Sequence, residues 1–138
     1  DFPMLFEALR RAAKRGVRVK ILLAHWSKSR RSSRELSALQ RETGITVRFV
    51  TIPQHSSGFI PFARVIHSKY LVVDDTRTWI GTSNWSKGYF HNSRNVGVLV
   101  RGSAFAKALV EVFQGLWEGK TAETLVPGKD YPRPRVAR

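Results

Sequence analysis

Residues 66–100 read IHSKYLVVDDTRTWIGTSNWSKGYFHNSRNVGVLV. Within them stand His67-x-Lys69, four residues, Asp74, six residues, and Gly81-Thr82-x-Asn84. His67 and Lys69 lie two apart, so at the start of a strand they project to the same face. An imidazole beside an ammonium is a sensible arrangement for attacking and holding a phosphate diester, because histidine serves as nucleophile or proton donor near neutral pH. Phosphoryl transfer needs mainly positioning and neutralisation of the equatorial oxygens. Lys69 supplies charge for that, the Asn84 amide a directed hydrogen bond, and Thr82 a hydroxyl, while Gly81 lets the backbone turn tightly after the strand. Taken alone, a His-x-Lys pair is usually exposed polar surface and Gly-Thr-Ser-Asn a turn. Together, six specified positions at fixed spacing match by chance at about one starting point in 10⁷.

The segments on either side alternate between helix and strand. Phe2–Arg15 carries apolar residues at helical spacing and stops at Gly16. Val17–Ala24 reads as a strand buried on both faces, and Ser27–Ser33 as a basic, serine-rich loop. Arg34–Thr43 is a second helix closed by Gly44, and Ile45–Ile52 a second strand stopped by Pro53. Short strands follow at Tyr70–Val73, Thr78–Ile80 and Val96–Arg101, and then a helix capped by Ser103 and running to about Trp117. The pattern predicts an α/β fold with a largely parallel, doubly covered sheet. It divides into a domain over residues 1–118, with the motif at 66–97, and an extended tail over 119–138. A start at a helix with no preceding strand leads us to expect a natural protein that extends further N-terminally.

The spacing resembles the HKD motif of the phospholipase D superfamily, HxKx4Dx6G[S/T]xN, with every specified position filled. Ile60–Val65 before the histidine, and Trp85, Ser86, Tyr89 and Phe90 after Asn84, are similar to the C-terminal half of the branch that holds lysosomal 5′ exonucleases and the poxvirus envelope phospholipase. The resemblance implies half of a phospholipase D-like α/β/α sandwich with a mixed, largely parallel sheet. It also implies two such motifs meeting at a pseudo-two-fold interface, the second half coming from the same gene product or from a homodimer mate. One histidine becomes a covalent phosphohistidine; the other protonates the leaving oxygen and then activates water, and neither cofactor nor metal is required. By this resemblance His67 is the general acid/base (in a homodimer, either role), Lys69 and Asn84 bind phosphate, Thr82 does so to a lesser degree, and Asp74 supports the motif. One position departs from many relatives. Where they carry a glutamate that orients the histidine, this chain has Asn95-Val96-Gly97, and the lysosomal-type branch also lacks it there; either a carboxylate from elsewhere, such as the other half, orients His67, or the imidazole is less well held.

The 138 residues hold 24 Lys plus Arg against 10 Asp plus Glu, a net charge of +14. Such a surface attracts polyanions, either nucleic acid or anionic phospholipid. Cysteine is absent, which excludes disulfides and thiolate metal sites from this segment, and the four histidines show no metal-ligand spacing. The longest apolar run, Ile21–Ala24, is far too short to cross a bilayer. Three further residues are candidates for substrate contact. His25 ends a strand at the edge where α/β sheets bind ligands, Arg94 lies just beyond the motif, and Trp85 follows Asn84, although aromatic residues mostly pack. The loop Lys28–Arg31 is the candidate polyanion track. Three functions compete: a phosphodiesterase cleaving single-stranded nucleic acid, a phospholipase D or phosphatidyltransferase acting on lipid head groups, and a non-catalytic half with a degenerate partner site.

Overall fold

The computed structural model describes residues 2–60 and 65–134. Its order is α1 (Pro3–Lys14), β1 (Lys20–Ala24), a 3-10 turn (His25–Ser27), α2 (Arg30–Thr43), β2 (Thr46–Val50), β3 (Tyr70–Val73), β4 (Arg77–Gly81), α3 (Lys87–His91), β5 (Gly97–Arg101), α4 (Ser103–Glu118) and β6 (Ala122–Thr124). The strands form two three-stranded sheets, ordered β1-β2-β6 and β3-β4-β5. The flanking segment at residues 61–64, part of the family resemblance, lies outside the described residues.

The α/β class is as expected, and the sheet system is mixed. Parallel pairing, however, is confined to β1 and β2, while β6 joins β2, β4 joins β3 and β5 joins β4 antiparallel. Connection length accounts for the first and third pairs. The β1–β2 link carries α2 as a crossover, whereas β3 and β4 are joined by three residues, enough for a hairpin and nothing else.

In the first sheet, Val47 and Phe49 alternate inward along β2 and meet Leu36 and Leu39 of α2, with Ile45, Leu125 and Tyr131 closing the core. Phe6 and Leu9 of α1 and Leu23 of β1 pack against that cluster while remaining partly exposed. Strand β1 is thus shorter and less buried than its apolar run suggests. Helix α4 packs against strands of both sheets. Arg48 of β2 fastens its end, stacking on Trp117 at 5.4 Å and donating to the carbonyls of Trp117 and Ala122.

Three local expectations change. Helix α2 begins at Arg30, because the Ser29 hydroxyl accepts the Ser32 N–H at 3.1 Å and so caps it four residues early. Ser103 is the first residue of α4 and makes no side-chain cap; Gly102 is the N-cap residue. The stretch after Gly119 wraps back, adding β6 and burying Leu125 and Tyr131. Its strand escapes the pattern because Ala-Glu-Thr is short and carries no apolar alternation. Among the described residues no helix is long and apolar enough to cross a membrane.

The second sheet is covered on one side. Tyr70, Val72, Thr78 and Val100 point to α4, with the Tyr70 hydroxyl reaching the Leu109 carbonyl and Thr78 fully buried. On the other face Leu71, Trp79 and Leu99 form a cross-strand row, with Leu99 79% exposed.

Candidate active site

The β3–β4 hairpin brings the two parts of the motif together. Tyr70 pairs with Ile80, and just beyond that pair the Gly81 N–H donates to the Lys69 carbonyl at 3.0 Å. His67 and Lys69 therefore sit beside the turn that carries Thr82 and Asn84. Asp74 sits at the opposite end of the hairpin, about 16 Å along the strand from Lys69 at 3.3 Å per residue. There Asp74 and Asp75 both have positive φ, 52° and 50°, the conformation that fits a hairpin turn to the twist of its strands. The Asp74 carboxylate accepts from Arg77 at 2.8 Å.

Lys69 is half-buried, and its ammonium bends back to donate to the His67 carbonyl at 2.7 Å. Among the described residues no carboxylate neutralises it. Burial lowers its pKa below the ordinary lysine value, since desolvation penalises the charged form. A partly desolvated, unpaired cation is a strong attractor for an anion. The His67 imidazole is exposed, and neither it nor the Asn84 amide has a side-chain hydrogen-bond partner among the described residues.

Thr82 is placed differently from Lys69 and Asn84. Its hydroxyl donates to the Asn95 side-chain oxygen at 2.9 Å and accepts the Val96 N–H at 3.1 Å, while the Asn95 amide donates to the Tyr89 carbonyl at 2.8 Å. Asn95, which stands near where many relatives carry the glutamate, thus clamps the motif turn to α3 and β5. Gly81 has its own reason. A Cβ there would lie 2.7 Å from the Trp79 ring and 2.8 Å from the Val96 carbonyl oxygen. Close approach of the indole, more than turn geometry, requires glycine at this position. Gly97, directly opposite in the ladder, is under the same ring, with Trp79 Nε1 2.6 Å from a Cβ position. Trp85 meets Trp79 edge-on at 5.6 Å, so it props the turn from the side.

Sequence reasoning missed Asn95, Gly97 and Trp79 as supports. The available signal was two glycines flanking a tryptophan across paired strands, legible only once the register is known. The other candidates lie apart. His25, at the end of β1 in the first sheet, has Nδ1 3.1 Å from the Thr51 hydroxyl and packs edge-on against Trp26. Arg94 is exposed in the loop before β5 and makes no ion pair among the described residues. Lys28, in the expected polyanion loop, is instead half-buried against Glu123. Among the described residues no three His, Asp or Glu side chains gather as metal ligands.

The His-Lys pair and the Asn-bearing turn thus meet at the open end of a hairpin in an α/β unit, where the sequence resembles the phospholipase D-like proteins. The family model described as "Cardiolipin synthase, PLD-like domain" matches residues 2–117, and the chain belongs to that family. A probable phospholipase D of Caenorhabditis elegans is 36% identical over 137 residues, covering 90% of this chain and 24% of that protein. The 5′-3′ exonuclease PLD3 of Rattus norvegicus is 36% identical over 141 residues, covering 94% and 29%. The chain therefore spans about a quarter of the length of these relatives. Among solved structures, Nuc of Salmonella typhimurium, a phospholipase D family member, superposes with a TM-score of 0.70 at 26% identity, covering 89% of this chain and 74% of that one. NucT of Helicobacter pylori shares the fold, with a TM-score of 0.75 at 19% identity over 85% and 72% of the two chains.

Proposed function

We propose that the protein is a phosphodiesterase that hydrolyses single-stranded nucleic acid without a metal, through a phosphohistidine, with His67 as general acid/base in one of two matching half-sites. The observation that carries this reading is the half-buried, unneutralised Lys69 held beside His67 and tied by one backbone hydrogen bond to the turn bearing Asn84. Lys69 and Asn84 hold the non-bridging oxygens. A histidine of the second half attacks phosphorus; the P–O bond to the leaving group breaks as the P–N bond forms, and His67 gives its proton to the departing oxygen. His67 then takes a proton from water, whose oxygen displaces the histidine as the P–N bond breaks. Thr82 and Asp74 serve by holding the turn and the hairpin.

Two observations support the need for a second half. The His67 imidazole has no orienting carboxylate among the described residues, and the Leu71-Trp79-Leu99 row leaves an apolar face open beside the motif. The net charge of +14 and the relative named as a 5′-3′ exonuclease favour nucleic acid as substrate. The relative named as a phospholipase D favours a second reading, hydrolysis of phospholipid head groups by the same chemistry.

A labelled single-stranded oligonucleotide and phosphatidylcholine vesicles, offered in parallel with excess EDTA, separate the two. Cleavage of the oligonucleotide alone is the expected outcome. Release of head groups with an untouched oligonucleotide would replace the nuclease reading with the lipid one.

A further inference from the structure

A groove of about 390 Å³ lies away from the motif, between α2 and the segment that follows β6. Arg30, Ser33, Arg34, Ser37 and Arg41 line one wall; Gly128–Tyr131 line the other. The helical residues fall at i, i+3, i+4, i+7 and i+11, so they share one face of α2. Their cationic side chains are exposed at the rim, while Ser33 and Ser37 are buried at its floor.

The charge balance is one-sided. Four cations, Arg30, Arg34, Arg41 and Lys129, stand against one carboxylate in the lining, Asp130, which pairs with Arg30 at 3.2 Å. Lys129 also lies 3.8 Å from Glu123. Arg34 and Arg41 have no ion pair among the described residues. At the floor Ser33 is 4% exposed, and its hydroxyl has no hydrogen-bond partner among the described residues. A buried orphan hydroxyl is costly, and here it lies beneath unpaired guanidinium groups. An anion in the groove would neutralise the guanidinium groups at its rim.

We propose that this groove is an accessory binding site for the phosphate backbone of single-stranded nucleic acid, with the exposed Arg34 and Arg41 as phosphate contacts. The assignment rests on nucleic acid being the substrate. Seven residues separate Arg34 from Arg41, roughly 10 Å along the helix, a spacing that suits two phosphates of a strand better than one head group. The wall offers no exposed apolar rim of the kind a membrane-inserting surface needs. Because α2 belongs to the first sheet and His67 to the second, the groove would hold the strand away from the bond being cut.

The test measures binding by fluorescence anisotropy in a His67→Ala background, so that the 20-mer of deoxythymidine used as probe is not consumed. Arg34→Gln/Arg41→Gln is compared with Arg18→Gln/Lys107→Gln, which removes the same charge at exposed positions elsewhere. The groove variant is expected to bind about tenfold more weakly at low salt. Its plot of log affinity against log salt should be shallower by about 1.4, the value for two lost contacts on a single strand. An unchanged slope, or an equal loss in the control pair, overturns the site. So does a requirement for Arg34 and Arg41 in binding phosphatidylglycerol vesicles but not the oligonucleotide. Turnover of the oligonucleotide by the protein with His67 intact is read separately. Its absence would undo the nuclease reading, whereas turnover with no groove dependence of binding would undo this proposal alone.

Discussion

At the scale of single residues, the site depends on one cation kept half-dry. In the proposed mechanism Lys69 would bind phosphate in its charged form, and burial lowers its pKa below that of ordinary lysine. Affinity should therefore be full at neutral pH and fall as pH rises through that lowered value, sooner than a solvated lysine would allow. Arginine does not titrate in this range, so a KM-against-pH profile for Lys69→Arg should lack the alkaline rise seen with lysine. An identical rise in both would show that Lys69 does not set it. The proposed chemical residues His67, Lys69 and Asn84 stand out in the sequence because the chemistry proposed for them demands particular residue types at fixed spacing. Their supports do not, because the Thr82–Asn95 clamp and the place of Trp79 over Gly81 and Gly97 depend on strand register.

Among the elements, the β3–β4 hairpin sets the alignment of the site, and its turn can be tested far from the chemistry. Asp74 and Asp75 occupy positive φ, which Asp and Asn tolerate and β-branched residues do not. Asp74→Val should cost about 1–2 kcal/mol of stability, whereas Asp74→Asn should keep both the turn and turnover. Chemical denaturation of the two variants, with kcat measured on each, checks this. Loss of activity in a stable Asp74→Asn protein would give the carboxylate a part the turn does not explain. Most elements were legible from periodicity and from glycine stops at residues 16 and 44, where φ is 82° and 69°. The early start of α2 turned on which serine of a serine-rich stretch became the cap. Strand β6 was hidden because its place comes from pairing with β2, not from its own composition.

For the whole molecule, the wrap of the C-terminal segment onto the first sheet should show itself in acid. Lys28 hydrogen-bonds to Glu123 of β6 and, with Lys129 and His25 adding attraction, holds its carboxyl below the usual glutamate range. A depressed carboxyl stabilises the fold fully above the unfolded value, and that stabilisation is lost as pH falls through the lower folded value. Lys28→Met should thus cost about 0.5–1 kcal/mol at neutral pH, a size discounted for a pair still partly in water. The gap from the unaltered protein should close in acid, as denaturation midpoints across pH would show. A gap that persists at the lowest pH would mean that the lysine stem, not the ion pair, holds the wrap. The central claim is that this half-site performs acid–base chemistry at phosphorus, and it is tested most directly by turnover of His67→Ala with excess EDTA. His67 is exposed and makes no side-chain hydrogen bond among the described residues, so circular dichroism and thermal unfolding should be unchanged. Cleavage should fall by about 10³-fold or more. Turnover equal to that of the unaltered protein would contradict the account.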